Sequence, residues 1–79
     1  MHYRLFAWQD GEEEVIYVAY LTPRNLAKAY RETVGASERD IRKWMDRDSM
    51  SLPWIRMGGT RKVSTDDFER FIEREKVWR

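Results

Sequence analysis

The chain has 79 residues, which is enough for one small domain. It contains no cysteine, and this excludes disulfides, thiolate zinc sites and a cysteine nucleophile. Charged residues make up 37% of the chain and no long apolar run interrupts them, so we expect a protein that does not enter a membrane. Since residues 1–20 also lack the apolar stretch of a secretory signal, we expect it in the cytoplasm.

The net charge is only +1, but the charge is unevenly distributed. Residues 1–20 carry one basic and four acidic side chains, a net charge of −3, which leaves +4 for residues 21–79. Between Arg39 and Lys62 there are seven basic and three acidic side chains, again a net of +4. Positive charge is therefore concentrated in the middle of the chain, where it favours an anionic partner such as nucleic acid.

The N-terminal segment predicts a β-hairpin. Two runs, 3–8 and 15–21, are rich in aromatic and β-branched residues and flank Asp10-Gly11, a dipeptide that favours a tight turn. The alternatives are a longer loop through 12–14 and a frayed N-terminal tail.

A first helix is predicted to begin at Thr22-Pro23. Thr can cap free helical amides, and Pro at the first helical position gives up an N–H that has no partner. We expect this helix to continue to about Val34, with Gly35 as a left-handed stop. Its apolar stripe consists of Leu26, Ala27, Tyr30 and Val34.

A second helix is predicted from Ser37 through about Arg47. Ser37 and Asp40 have the spacing of a capping box, with Asp in place of Glu. The helix has two faces, since Ile41, Trp44 and Met45 share one side while Arg39, Arg42 and Lys43 repeat the same spacing on another. These cations either form a solvated face or bind a partner.

A second hairpin and a third helix complete the chain. Gly58-Gly59 lies between two short extended runs within residues 52–64 and predicts a hairpin turn, with Arg56, Arg61 and Lys62 near its tip. Ser64 is a predicted N-cap, followed by Asp66 and Asp67 in the first turn and by the apolar stripe of Phe68, Phe71 and Ile72. We expect residues 77–79 to fray.

Catalysis is not expected. The only histidine is His2, in a terminal position, so neither a Ser-His pair nor a histidine metal cluster can be assembled. Gly58-Gly59 lacks the Lys and Ser/Thr of a phosphate loop, and capping explains Asp66-Asp67. We therefore expect no cofactor and no metal. Three of the tryptophans are expected in the core: Trp8, Trp44 and Trp54.

Two helices joined by a short turn with Gly in it are typical of the helix-turn-helix, whose second helix enters the major groove. The predicted fold is α+β: a winged helix-turn-helix of three helices with a β-hairpin wing and an additional N-terminal β-hairpin. We expect one domain over 1–79, with the hairpin extension at 1–20 and the rest at 21–76. The candidate DNA-binding residues are Arg39, Arg42, Lys43, Arg47, Arg56, Thr60, Arg61 and Lys62.

Residues 20–72 resemble the excisionase family of phages and conjugative transposons, the winged-helix branch of the MerR-like helix-turn-helix DNA-binding proteins. The resemblance depends on the order and spacing of short motifs: Tyr20-Leu21-Thr22, Ala27, Gly35-Ala36-Ser37, Leu52-Pro53, Gly58-Gly59-Thr60-Arg61 and Ser64-Thr65-Asp66-Asp67-Phe68. Two features differ from the family, namely a first helix about one turn longer and the aromatic N-terminal hairpin.

The resemblance implies an architectural protein that binds direct repeats cooperatively, bends double-stranded DNA and biases an integrase toward excision. Its implied partners are duplex DNA, an integrase or recombinase, and further copies of itself on DNA. A small transcriptional regulator on the same scaffold is the nearest alternative. A protein–protein interaction adaptor is a third, because the acidic, aromatic N-terminal hairpin offers a sheet edge to another chain.

Overall fold

The computed structural model describes the backbone of residues 2–9 and 12–79 and the side chains of residues 19–79. The predicted turn at Asp10-Gly11 and the expected positions of the His2 and Trp8 side chains lie outside this part. No helix in the described part is both long and apolar enough to cross a membrane. The described residues form seven elements, in chain order β1 (His2–Gln9), β2 (Glu12–Leu21), α1 (Pro23–Ala29), α2 (Glu38–Met45), β3 (Ile55–Met57), β4 (Thr60–Ser64) and α3 (Thr65–Glu75).

The strands form an antiparallel sheet in the order β1-β2-β4-β3. β1 and β2 pair along their length, which confirms the predicted N-terminal hairpin. β3 and β4 pair across the Gly58-Gly59 turn and form the second predicted hairpin. The end of β2 also pairs with β4, where Tyr20 lies opposite Ser64 and Leu21 opposite Val63. The two hairpins therefore share one sheet, a connection that the sequence did not indicate.

Side-chain caps begin all three helices, as predicted. The Thr22 side chain accepts a hydrogen bond from the Asn25 amide at 3.2 Å. Ser37 and Asp40 form a reciprocal capping box at the start of α2. Ser64 accepts from the Asp67 amide at 3.0 Å and begins α3. The chain is thus a small α+β protein, with three helices and an antiparallel sheet in its described part.

The first helix ends earlier than predicted. α1 stops at Ala29, and residues 30–34 form a separate turn closed by the Val34 amide bonding to the Tyr30 carbonyl at 2.8 Å. Gly35 does adopt a positive φ of 75°, but it ends this turn and not the helix. Thr33 and Val34 are β-branched and favour a helix weakly. The predicted extra turn of helix relative to the excisionase pattern is therefore wrong.

Tyr30 holds the turn after α1 against α3. Its ring lies 4.7 Å from the Phe68 ring, centroid to centroid, and its hydroxyl donates to Glu69 Oε2 at 2.6 Å. Burial, together with this hydrogen bond to a carboxylate, raises the pKa of Tyr30. The hydroxyl therefore keeps its proton and remains a donor at any physiological pH.

The second helix is also slightly shorter than predicted, ending at Met45 with Asp46 as its C-cap and leaving Arg47 outside. The chain then folds back, and the Leu52 amide donates to the Trp44 carbonyl at 2.9 Å. Leu52 is completely buried by this return. The buried Leu52 thus anchors the connection between α2 and β3 to the core.

The core lies between the three helices and β4. Its buried members are Leu26, Ile41, Met45, Leu52, Val63, Phe68, Phe71 and Ile72. The stripes predicted for α2 and α3 face this core, and Trp44 packs against its margin, 5.2 Å from the Phe71 ring. The prediction of a core position is wrong for Trp54, which is 38% exposed. Its ring lies under arginine side chains at the surface.

The prediction that residues 77–79 fray is wrong, because the end of the chain is bonded to the turn after α1. Lys76 takes a left-handed conformation, φ 55°, and turns the chain out of α3. The Arg79 amide then donates to the Thr33 carbonyl at 2.7 Å, and its guanidinium donates to the Arg31 carbonyl at 3.2 Å. We call residues 76–79 the C-terminal strap, because they attach the end of α3 to the turn between α1 and α2.

Candidate nucleic-acid interface

The exposed face of α2 carries the cations that the sequence singled out. Ile41 and Met45 are buried and fix the rotation of the helix about its axis. Arg39, Arg42 and Lys43 are consequently all exposed on the outer side. They border an open depression of about 480 Å³, whose lining is Glu38, Arg39, Arg42, Lys43 and Asp46.

The cations of this face are not equivalent. Arg42 forms an ion pair with Glu38 one turn earlier, at 3.0 Å, in which both side chains are about half exposed. None of the ion pairs formed within residues 19–79 involves Arg39 or Lys43. Arg39 and Lys43 are therefore the cations of this face that form no direct ion pair with a carboxylate of residues 19–79.

We call the hairpin of β3 and β4 the wing, after its expected role. Gly58 and Gly59 have φ values of 59° and 82°, so both central turn residues lie in the left-handed region, as predicted. The Arg56 guanidinium lies across this turn, 3.4 Å from the Gly59 carbonyl oxygen and 5.8 Å from the Trp54 ring. Thr60 is exposed beside the turn, and Lys62 is half-buried further along β4.

An ion pair joins the wing to α2. Arg61 of β4 donates to Asp46, the C-cap of α2, at 2.6 Å, while its guanidinium also lies 5.0 Å from the Trp54 ring. The Arg61 side chain is 21% exposed and that of Asp46 61% exposed. We call Asp46, Trp54 and Arg61 the wing clamp. Arg61, predicted as a contact at the wing tip, is thus held between the wing and α2.

The wing clamp predicts a measurable coupling between Asp46 and Arg61. In a double-mutant cycle of Asp46→Asn and Arg61→Gln, we expect a coupling free energy of about 0.2 to 1 kcal/mol, because the pair is partly exposed to water. Urea unfolding of the four proteins measures it, and raising the salt concentration should reduce it. Additive effects of the two substitutions would show that the pair does not hold in solution.

Arg47 is directed toward α3. It donates to Glu75 at 2.9 Å, and its guanidinium lies 5.2 Å from the Phe71 ring. This hydrogen bond lowers the pKa of the Glu75 carboxyl. Of the predicted site residues, α2 and the wing bring together Arg39, Arg42, Lys43, Arg56, Thr60, Arg61 and Lys62, whereas Arg47 is engaged with the last helix.

Sequence reasoning did not identify Asp46 or Trp54 as part of this surface. Asp46 has no neighbour in the chain that reveals its role, and Trp54 has the composition of a core residue. The one available signal was the position of Asp46, since a carboxylate near the C-terminus of a helix opposes the helix dipole and needs a nearby cation. Residues 19–79 contain no cluster of three or more potential metal ligands.

Comparison of the chain with protein-family models, with curated proteins and with solved structures found no match.

Proposed function

We propose that this protein is a cytoplasmic winged helix-turn-helix protein that binds double-stranded DNA without catalysing a reaction. In this proposal α2 enters the major groove and the wing lies along the adjacent phosphate backbone. Arg39 and Lys43 contact phosphates or base edges, and Arg42 contributes once Glu38 releases it. The major groove is about 12 Å wide, which admits a helix with its side chains.

The observation that carries the proposal is the wing clamp, because it places the basic face of α2 and the wing beside each other. A basic helix alone is compatible with a merely solvated surface. Here Asp46 at the end of α2 bonds to Arg61 of the wing at 2.6 Å, so the C-terminal end of α2 is in direct contact with the wing. A duplex presents phosphates on both sides of its groove and is suited to such a surface.

The low net charge of +1 limits the affinity expected without sequence recognition. Glu38 and Asp46 lie among the three cations of the α2 face, so the local net charge there is also +1. Binding should therefore depend on specific contacts and on few phosphates. We expect about four to six phosphate contacts, and with them a slope of log affinity against log salt near −4 to −5.

A mobility-shift titration with DNA flanking the gene, repeated at several salt concentrations, tests the proposal. Saturable binding with the slope given above supports it. A flat salt response, or no binding to any duplex at low salt, would contradict it.

Substitutions on α2 provide a sharper prediction, because they alter charge without touching the core. Lys43→Gln should weaken DNA binding and make the salt slope shallower by about one. Glu38→Gln should have the opposite effect on affinity, because it removes a carboxylate and frees Arg42. Thermal unfolding followed by circular dichroism is the control, and both midpoints should stay within a few degrees of wild type. Equal affinity of the two variants would show that this face does not meet the duplex.

Two roles fit a DNA-binding protein of this kind. The resemblance to excisionases favours an architectural factor that bends DNA for an integrase or recombinase and self-associates on repeated sites. A small transcriptional regulator is the alternative. A bending assay with the duplex labelled at both ends separates the two roles, since the first requires a strong bend. The genes beside this one add an independent criterion, namely an integrase or a divergent promoter.

A second candidate function is supported by the position of β1. This strand of eight residues lies at the edge of the sheet order β1-β2-β4-β3. An edge strand presents backbone donors and acceptors to which another chain can add a strand. An adaptor that uses β1 should lose its partner when Pro replaces a residue of this strand, while DNA binding by α2 should persist.

A further inference from the structure

A second basic cluster surrounds the turn between α1 and α2. Lys28 and Arg31 come from the end of α1 and the turn that follows, and Arg79 comes from the C-terminal strap. Together they border a depression of about 360 Å³, whose other lining residues are Ala27, Gly35, Ala36 and Ser37. Within the described part of the chain, no carboxylate side chain lines this depression.

Like Arg39 and Lys43 on α2, the cations of this cluster form no ion pair with an acidic side chain of residues 19–79. Three positive charges thus share one small region of the surface. An anion that enters the depression is attracted by each of these cations.

The position of Arg79 is defined by backbone contacts. Its amide and its guanidinium bond to carbonyl groups on the turn, at Thr33 and Arg31 respectively. Gly35 lies beside the Arg79 side chain and has a φ of 75°, a conformation that favours glycine. An arginine whose backbone and guanidinium are already held by hydrogen bonds loses less conformational freedom on binding a phosphate than an arginine with a mobile side chain.

The floor of the depression also suits a phosphate. Its lining between the cations consists of small residues, Ala27, Gly35, Ala36 and Ser37, which leave room for a tetrahedral anion. The first amides of α2 contribute little, since the capping box of Ser37 and Asp40 already occupies this helix end. A phosphate in this depression would therefore be bound by three cationic side chains, above a surface of small, uncharged residues.

The cluster continues the proposed DNA surface beyond the N-terminal end of α2. The depression reaches Ser37, and the depression on α2 begins at the next residue, Glu38. At the other end of α2, Asp46 leads to the wing. The helix of eight residues is about 12 Å long. Cations at both of its ends can therefore meet phosphates on either side of a major groove of about that width.

We propose that Lys28, Arg31 and Arg79 form a second phosphate-binding site, which takes backbone phosphates of duplex DNA beside the segment that α2 contacts. This inference depends on the proposed function, and it assigns the C-terminal strap a part in DNA binding. The same chemistry could take a free phosphate, so the test must separate the two sources.

The test compares salt slopes of DNA binding in charge-matched variants of the full chain. Arg31→Gln and Lys28→Gln should each make the slope shallower by about one, and the double variant by about two. Arg70→Gln is the matched control, because Arg70 is an exposed arginine of α3, 77% accessible and paired with Asp66. Its slope should equal that of wild type. Slopes that fall equally in Arg31→Gln and Arg70→Gln would overturn the proposal, since net charge alone would explain them.

Titration with inorganic phosphate, followed by the amide resonances of Gly35 and Ser37, distinguishes the sources. If the double variant keeps the wild-type slope on DNA but loses a saturable phosphate response, the site takes free phosphate and the DNA assignment is overturned. If wild type binds no duplex at all, the proposed function fails separately. A saturable phosphate response that requires Lys28 and Arg31 would then still support the phosphate site, and no response would overturn it.

Discussion

Replacing both Gly58 and Gly59 with Val is expected to abolish DNA binding while leaving the helices folded. The two glycines have φ values of 59° and 82°, which cost a residue with a side chain about 1 to 2 kcal/mol each. β-branched valine tolerates this region worst. Since a Cβ at either position would meet nothing within 4 Å, the whole penalty is backbone strain.

The wing has few contacts with which to offset that strain, because β3 is only three residues long. The turn should therefore open and release Arg56 and the wing clamp, whereas the helical core depends on none of these residues. Far-ultraviolet circular dichroism should show the helical signal preserved, and mobility shift should show the affinity lost. Gly58→Asn is the matched control, because Asn followed by Gly favours this turn, and it should bind like wild type. Tight binding by the double Val variant would show that the wing does not contact DNA.

Phe68→Ala should unfold the protein at room temperature. Phe68 is completely buried, and its ring packs at a tilt against that of Tyr30. Removing a buried aromatic ring costs about 3 to 5 kcal/mol. A domain of this length gains only about 3 to 5 kcal/mol from its core, so nothing remains to stabilise the fold. We expect no cooperative thermal transition by circular dichroism.

Trp54→Ala provides the comparison for Phe68→Ala. It removes a larger ring, but one that is 38% exposed and lies outside the core. Its expected cost is about 1 kcal/mol, the value of its contacts with arginine. Phe68→Leu, which keeps most of the buried volume, should retain a cooperative transition at a lower temperature. A folded Phe68→Ala variant would mean that the core is larger than the described residues indicate.

The features that could be predicted from the sequence are those with local causes. A helix cap forms through contacts within a single turn, so Ser37, in a capping box with Asp40, and Ser64, ahead of the acidic first turn of α3, were recognisable as caps. Gly58-Gly59 predicted a hairpin turn because few other residue pairs accept a positive φ at both positions. The periodicity of Phe68, Phe71 and Ile72 likewise identified the buried face of α3.

The features that could not be predicted depend on contacts between distant residues. α1 was expected to reach Val34, but it ends at Ala29. Tyr30 then packs against Phe68, a contact with a distant residue that local helix propensity cannot reveal. The C-terminal strap was missed for the same reason, since Arg79 and Arg31 are 48 positions apart. Contacts of the same long-range kind engage two basic side chains of the candidate site, Arg47 with Glu75 and Arg61 with Asp46.

The wing clamp has a consequence for the kind of duplex that this surface would prefer. The Asp46–Arg61 pair joins α2 to the wing, so a change in their spacing to fit a wider or narrower groove would break this contact. A duplex that adjusts its own groove instead would retain the contact, at a cost that depends on how readily each base step bends or twists. Flexible pyrimidine–purine steps would then be favoured at positions that no side chain touches. Part of the selectivity would thus reside in the mechanics of the DNA.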